Sequence, residues 1–576
     1  MAPLSCPGAV ASTPMPPNFR LQRWFPFLGW VRPDRETLTG EMWAGLTVGM
    51  MVIPQGVAYA ALAGMPLVTG IYASLLPALV AVLWSSSQRL GVGPTALSAL
   101  LVGTSLTGLA DPGSPECVTL AVWLALLSVL LQLVLGIGRC GWLLNLVSSP
   151  VLTGFTQAAA ILILLSQVPA LIGFDGRLAQ LLDHPAIDLE ALAFGLGSLL
   201  VLSLGKRLAP RFPTLMALVA GSAVVSAAVG FARRGGAVVG ALPAGLPGLH
   251  WPGPLSWSLL GQLALPTMII TLVSFLETAS SAKVDNQRGG TRWNENQDLI
   301  GQGLGKIAAA FSGAFPTSSS FSRSAINLYA GARSGWATVF SVVLVLVTLL
   351  WFTPGLYHVP QAVLAAVVVA AVSSLVQPRV FVRLWRATPV EAVICGTTFV
   401  LTLVTAPQLY WGVLAGLIMS LSHFLFHRLH PRIIEVGLHE DGSLRDRQLW
   451  QLPALAPRLY ALRMDAELDF ASARSFERAV VERLAKEPGL RDVCLFAQPI
   501  NRVDATGAEI FGHVRELLAE RGVTLHLSGI KLPVETALRR GGQLPAAGDT
   551  GPLLRMYRTD LEALAHLRHR LEDYVI

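Results

Sequence analysis

The stretch FPTSSSFSRSAIN, residues 315–327, carries six hydroxyl side chains and one arginine between long apolar runs. Hydroxyls and a guanidinium at that density suit the holding of an anion by hydrogen-bond donors and a positive charge. Ser318, Ser320 and Ser322 are candidate donors here, and Arg323 is the candidate charge. An arginine inside a membrane is costly and marks a functional site by default. Two structural readings stand beside that one. Serines in membrane helices also serve packing or bond back to the preceding turn, and Arg323 also suits a scaffold role, paired with backbone carbonyls or with Glu277.

Glu277, in SFLETASSAKV, is the second charged outlier, with Thr278 and Ser281 nearby and Ser281 on the same helical face. A carboxyl group desolvated in a membrane can carry a proton across in each cycle; with Ser281 it can instead supply oxygen ligands to Na⁺, or it forms a static ion pair. In MMVIPQGVAYAALAG, Gln55 and Tyr59 stand four residues apart after Pro54 and offer an amide and a phenol to a cavity. A Pro-kinked packing helix reads the same way. Lys306 and Glu391 lie near segment ends, where snorkelling to the interface is expected.

The elements that must position these groups are membrane helices. The chain of 576 residues is 53% hydrophobic and only 13% charged, too little charge to cover a soluble protein of this size. Its apolar blocks from about Glu41 to His427 approach the roughly 20 residues a bilayer demands, and charge rises sharply after about Pro431. We read about fourteen segments in the bilayer, starting near Met42, Leu67, Gly93, Val118, Leu146, Ala191, Thr214, Leu259, Leu299, Ser320, Ala337, Gln361, Glu391 and Gln408. Several are short or broken by Gly and Pro.

VGPTALSALL and FPTSSSFSRS each place Pro-Thr, then a Ser three residues after the Thr, in corresponding segments of two halves. Paired, Pro-interrupted short segments point to an inverted-repeat transporter with its site at the midplane. Two half-helices meeting there would aim free N–H groups and positive dipole ends at one point, an anion site before any side chain is counted. Thr95 joins the donors from the first half.

With the N-terminus inside, Arg89, Arg139, Lys206, Arg207, Arg211, Lys283, Arg288, Arg292, Arg333, Arg379, Arg383 and Arg386 fall in cytoplasmic loops, against chiefly Arg177, Arg233 and Arg234 outside. That asymmetry follows the positive-inside rule and puts both termini in the cytoplasm. The Pro-rich start lacks the basic and apolar regions of a secretory signal. The five cysteines show no ligand-like or paired spacing. No metal site, cofactor or catalytic residue is assigned, and nucleic acid is not an expected partner.

PQGVAYA (Pro54–Ala60), GPTALSALL (Gly93–Leu101) and NQDLIGQGLGKIAAAFSGAFPTSSSFSRSAIN (Asn296–Asn327) resemble the SulP family of anion transporters, the sulfate permeases related to pendrin and prestin. The resemblance implies an α-helical membrane protein with two inverted seven-segment repeats, core and gate domains like those of uracil permeases, and a homodimer. It places the substrate between the third and tenth segments, walled by the first and eighth. Residue by residue it implicates Gln55, Tyr59, Thr95, Ala96, Glu277, Phe321, Ser322 and Arg323. Two departures stand out: Lys306 where the family commonly has Asn, and TAPQLYWG in place of an acidic pattern near Thr405–Gly412. Arg323 and Glu277 together favour sulfate-like oxyanions and proton coupling, since the family's bicarbonate transporters tend to lack this arginine and to carry Asp at the Glu277 position.

After about Leu452 the chain alternates strand-like and helix-like runs, as in LYALRMDAELDF and SFERAVVERLAKE, which argues a small α/β domain. It resembles the STAS domain, with NRVDATGAEIF (Asn501–Phe511) at the strand-to-helix loop. Thr506 is a candidate regulatory phosphosite there, with helix capping as the preferred reading. The expected organisation is a cytoplasmic tail over 1–40, a membrane transport domain over 41–430 with repeats at about 41–235 and 255–430, a linker over 431–451, and a cytoplasmic STAS domain over 452–576.

The expected function is proton-coupled sulfate uptake across a bacterial inner membrane by an elevator-like movement of the core. The alternatives are Na⁺-dependent bicarbonate symport, uncoupled anion exchange or channel activity, or a tethered regulator acting through its STAS domain on a cytoplasmic protein partner.

Overall fold

The computed structural model describes residues 25–30, 34–174, 187–208, 213–290, 292–545 and 553–572. The expected tail over 1–40 lies mostly outside them, as do Cys6, Arg177 and Arg211. The chain divides into two compact units, Met1–Ser420 and Leu421–Ile576.

The first unit is helical. Its elements are α1 (Arg35–Leu62), α2 (Val68–Tyr72), α3 (Leu76–Trp84), β1 (Val92–Gly93), α4 (Ala96–Leu106), α5 (Pro115–Ile137), α6 (Ser149–Leu171), α7 (Leu189–Leu208) and α8 (Thr214–Val229). After these come α9 (Trp257–Gly289), α10 (Glu295–Phe311), β2 (Ser318–Ser319), α11 (Phe321–Tyr329), α12 (Trp336–Val347), α13 (Gln361–Val372), α14 (Arg379–Ala387), α15 (Pro389–Val404) and α16 (Tyr410–Leu429). Among the described residues seven helices are long and apolar enough to cross a membrane, and five shorter apolar helices accompany them. With α10 and α11 they make up the expected fourteen segments.

Helix starts fall where capping residues stand. Asp34 accepts from Thr37 N at 2.8 Å, Ser114 from Cys117 N at 3.1 Å and Asn294 from Gln297 N at 3.2 Å, each satisfying an amide the helix itself leaves open. One apolar core runs through α1, α4, α5, α6, α9 and α13, with Ile53, Leu124, Phe155 and Val363 among its most buried members. The described cysteines, Cys117, Cys140, Cys395 and Cys494, are free thiols.

The second unit carries a six-stranded sheet in the order β4-β3-β5-β6-β7-β8. Its strands are β3 (Ile433–Leu438), β4 (Leu444–Asp446), β5 (Leu459–Met464), β6 (Asp492–Phe496), β7 (Thr524–Ser528) and β8 (Leu554–Tyr557). β5 to β8 run parallel and β3 antiparallel, with α17 (Ala473–Lys486), α18 (Ala505–Glu520) and α19 (Leu532–Arg540) between the parallel strands and α20 (Asp560–Glu572) after β8. The stretch 431–451, expected as a linker, instead supplies β3 and β4. Its charge hid the alternation of Ile434 and Val436, which turn inward on β3 while Glu435 pairs with Arg447.

Candidate anion site

β1 and β2 form a two-stranded antiparallel crossing, Val92 opposite Ser319 and Gly93 opposite Ser318. Each strand runs directly into a short helix, β1 into α4 and β2 into α11. Because the strands are antiparallel, the helices leave in opposite directions and their N-termini face one region. Gly93 takes φ +152°, which side-chain-bearing residues avoid, and a Cβ at Gly91 would lie 2.6 Å from Arg323 Cβ. The glycines are what let the two strands and α11 come so close.

The caps show how the two halves correspond. Thr95 caps α4 by accepting from Ser98 N at 3.2 Å, and Ser320 caps α11 by accepting from Arg323 N at 3.5 Å. The Pro-Thr echo in the sequence is therefore out of register: Pro94-Thr95 follows its strand, whereas Pro316-Thr317 precedes β2. The hydroxyl that ends the extended backbone fixes the helix start, and in the second half that hydroxyl is Ser320.

A cavity of about 300 Å³ opens at these N-termini. Tyr59, Thr95, Ala96, Glu277, Ser320, Phe321 and Ser322 line it. Thr95 Oγ1 donates to Glu277 Oε2 at 3.0 Å while accepting from Ser98 N, so one hydroxyl ties the α4 N-terminus to the carboxyl group. Ser320 and Ser322 hydroxyls lie 3.1 Å apart at the mouth of α11.

The other expected residues sit elsewhere. Arg323 is buried beneath the strand crossing, donating to Pro94 O at 2.8 Å and Gly91 O at 3.4 Å, which is the carbonyl-paired placement. Gln55 is buried on α1 outside the lining, its Oε1 without a partner among the described residues. Ser281 turns its hydroxyl to the Glu277 carbonyl at 2.9 Å, and Ser318 turns its own to the Ser274 carbonyl at 3.1 Å.

Lys306 corrects a sequence expectation. It does not snorkel: its side chain is fully buried and Nζ donates to Ser128 Oγ at 2.9 Å. The lysine lies on the face of α10 that packs against α5, away from any interface it could reach. Glu391 is half-buried and accepts from Thr388 Oγ1 at 2.8 Å, within its own helix start.

The far wall of the cavity escaped the sequence reading. Leu152, Phe155 and Thr156 on α6, and Ala371, Val372, Ser374 and Leu375 at the end of α13, also line the cavity, with Leu97 on α4 and Val273, Leu276 and Ser280 on α9. Gln157 clamps these two elements, donating to Leu375 O and accepting from Gln377 N, both at 2.6 Å. A glutamine in the middle of an apolar helix was the available signal.

In the second unit, Asp504 rather than Thr506 caps α18, accepting from Gly507 N at 2.8 Å; Thr506 is exposed in the first turn. The aspartate precedes the helix and reaches its open amide, whereas Thr506 already lies inside the helix.

Comparison with known proteins agrees with this architecture. The sulfate permease family profile matches residues 38–398, and the STAS domain profile matches residues 455–546. Sulfate transporter 4.1, chloroplastic, of Arabidopsis thaliana is 29% identical, over 96% of this chain and 85% of its own. A probable sulfate transporter of Mycobacterium tuberculosis is 29% identical over 90% of this chain and 93% of its own. The structure of murine solute carrier 26 family member A9 in the inward-facing state superposes with a TM-score of 0.85 at 20% identity, covering 98% of this chain and 96% of that one. The fold is thus the seven-plus-seven inverted repeat followed by a STAS domain, and the chain belongs to the sulfate permease family of membrane anion transporters.

Proposed function

We propose that the protein imports sulfate, or an oxyanion of similar shape and charge, coupled to protons through Glu277. The observation that supports this most is the convergence of two capped helix N-termini and one carboxyl group on a single cavity. Its volume of about 300 Å³ equals on the order of ten waters, room for an oxyanion with part of its hydration. The anion meets open amides at Ala96, Phe321 and Ser322 and the hydroxyls of Tyr59, Ser320 and Ser322. Arg323 contributes its field from beneath, because its amino groups are already held by carbonyls. Gln55 supports the Tyr59 face of α1 from outside the lining.

Thr95 links the two events of a transport cycle. Its hydroxyl holds the Glu277 carboxylate, so protonation of Glu277 and docking of an anion at α4 act on the same group. Ser281 does not line this cavity, which gives little support to a Na⁺ site there. We further propose an elevator-like shift of the core carrying α4 and α11 against the wall of α6 and α13, in a homodimer of a bacterial cytoplasmic membrane with both termini inside. The STAS domain then offers a surface to a cytoplasmic protein.

The test is radiolabelled sulfate uptake into proteoliposomes under an inward proton gradient, an inward Na⁺ gradient, or neither. Proton-driven uptake that Glu277→Gln abolishes, with sulfate counterflow retained, is the expected result. Na⁺-driven bicarbonate uptake without sulfate transport, or sulfate movement indifferent to every cation gradient, would overturn the coupling assigned here.

A further inference from the structure

We propose that Lys306 supplies a second positive charge to the anion site and sets its preference for a dianion over a monoanion, an inference that rests on the cavity being that site. Lys306 is fully buried where α5, α9 and α10 meet, and Ser128 Oγ, which accepts a hydrogen bond from its Nζ at 2.9 Å, also accepts one from Thr271 Oγ1 at 2.9 Å. Thr271 lies on α9 between Thr267 and Glu277, so the lysine is joined to the helix that carries the carboxyl group. The surroundings are polar and under-satisfied: the side-chain amide of Gln132 and the hydroxyls of Thr267 and Thr317 are buried without partners among the described residues.

The charges do not balance within the protein. Among the described residues no carboxylate forms an ion pair with Lys306, and the Arg323 guanidinium rests on carbonyls. Among the described residues Glu277 is the carboxyl group that lines the cavity, and it acts electrostatically on both cations. Asp298, also on α10, lies about 12 Å along the helix axis from Lys306, and Ser86, Ser87 and Trp293 occupy its oxygens. Two buried cations therefore share one carboxyl group.

Uncompensated charge is costly in a low-dielectric interior. With Glu277 ionised and the cavity empty, the site carries one excess positive charge; with Glu277 protonated it carries two. In the proton-loaded state that coupled import uses, a dianion brings the sum to zero and a monoanion leaves a buried positive charge; a monoanion balances the site only while Glu277 stays ionised. Removing the lysine reverses the preference, because Arg323 and a monoanion then cancel. A dianion also gains twice what a monoanion gains from the same fixed charge.

The experiment compares the full chain in proteoliposomes as wild type, Lys306→Gln, Lys306→Met and Lys306→Arg. The readout is competition of labelled sulfate uptake by selenate, a dianion, and by nitrate, a monoanion. The expected result is a nitrate-to-selenate potency ratio that rises about tenfold in Lys306→Gln and Lys306→Met and stays within about threefold of wild type in Lys306→Arg. An unchanged ratio in Lys306→Gln overturns the inference and leaves sulfate transport by the wild type standing. Where Lys306→Gln is not recovered as monodisperse protein, Lys306→Met removes the charge at similar side-chain length and an unchanged ratio in it likewise overturns the inference; a shifted ratio in Lys306→Arg, which keeps the charge, also overturns it. A wild type that nitrate inhibits more strongly than selenate overturns both this inference and the sulfate reading.

Discussion

Replacing Thr95 by Val keeps the side chain's shape and deletes two hydrogen bonds at once. The hydroxyl accepts from Ser98 N at 3.2 Å and donates to Glu277 Oε2 at 3.0 Å. Loss of a cap costs about 1 kcal/mol and loss of a hydrogen bond to a charged group about 1.5–3 kcal/mol, so α4 should be destabilised locally by about 2.5–4 kcal/mol. At about 1.4 kcal/mol per factor of ten, that is roughly 60- to 700-fold faster opening. Hydrogen exchange of the peptide spanning α4 in the purified chain reads this directly, because amides that exchange through local opening report its free energy. Thr95→Ser, which keeps the hydroxyl, is the control. In a Glu277→Gln background the Thr95→Val effect should shrink towards the cap alone, to about five- to tenfold. Proton-driven sulfate uptake should be lost in Thr95→Val and kept in Thr95→Ser. If Thr95→Val exchanges like Thr95→Ser, or its effect is the same size with Gln at 277, the hydroxyl does not join the helix N-terminus to the carboxyl group and the coupling argument fails.

Three further outcomes follow from the packing. Gly91→Ala should abolish uptake and destabilise the membrane unit by about 1–3 kcal/mol, since its Cβ would meet Arg323 Cβ at 2.6 Å and Arg323 and Ser324 backbone atoms at 3.1 Å; Gly40→Ala, with nothing within 4 Å, is the matched control in uptake and thermal unfolding. Asp504→Ala should cost the STAS domain about 1–2 kcal/mol in denaturant unfolding because it removes a helix cap, while Thr506→Ala stays within about 0.5 kcal/mol. Burial, then the nearby Glu435, pushes the Tyr460 hydroxyl up to about 12. A phenol kept neutral in the fold stabilises it fully below the unfolded value near 10 and loses that contribution as pH rises towards 12, about 2–3 kcal/mol in all. Tyr460→Phe should flatten this part of the alkaline unfolding profile, and an unchanged profile would show that the phenol ionises freely.

The sequence by itself determined the parts that depend on local composition. Apolar runs separated by Gly, Pro and charge located thirteen of the fourteen segments closely, from Val68 to Tyr410, because a helix in lipid must be apolar along its length; the first helix begins at Arg35, in a charged turn ahead of the expected Met42. The cluster Ser320–Arg323 and the lone Glu277 stood out for the same reason: polar groups are expensive there and therefore few. Alternating strand and helix runs identified the STAS domain, although the charged stretch that became β3 and β4 read as a linker.

What only the tertiary structure decided is which of those polar groups share a space. Glu277 and Thr95 are 182 residues apart and joined by one hydrogen bond. Arg323 looks from the sequence like the residue waiting for the anion, yet the antiparallel crossing of β1 and β2 presents two carbonyls to it first. Lys306 sits near a segment end in the sequence and at a buried helix junction in the fold. Spacing along one helix says which side chains share a face, but the partner of that face comes from a distant segment, and a buried charge takes its meaning from that partner.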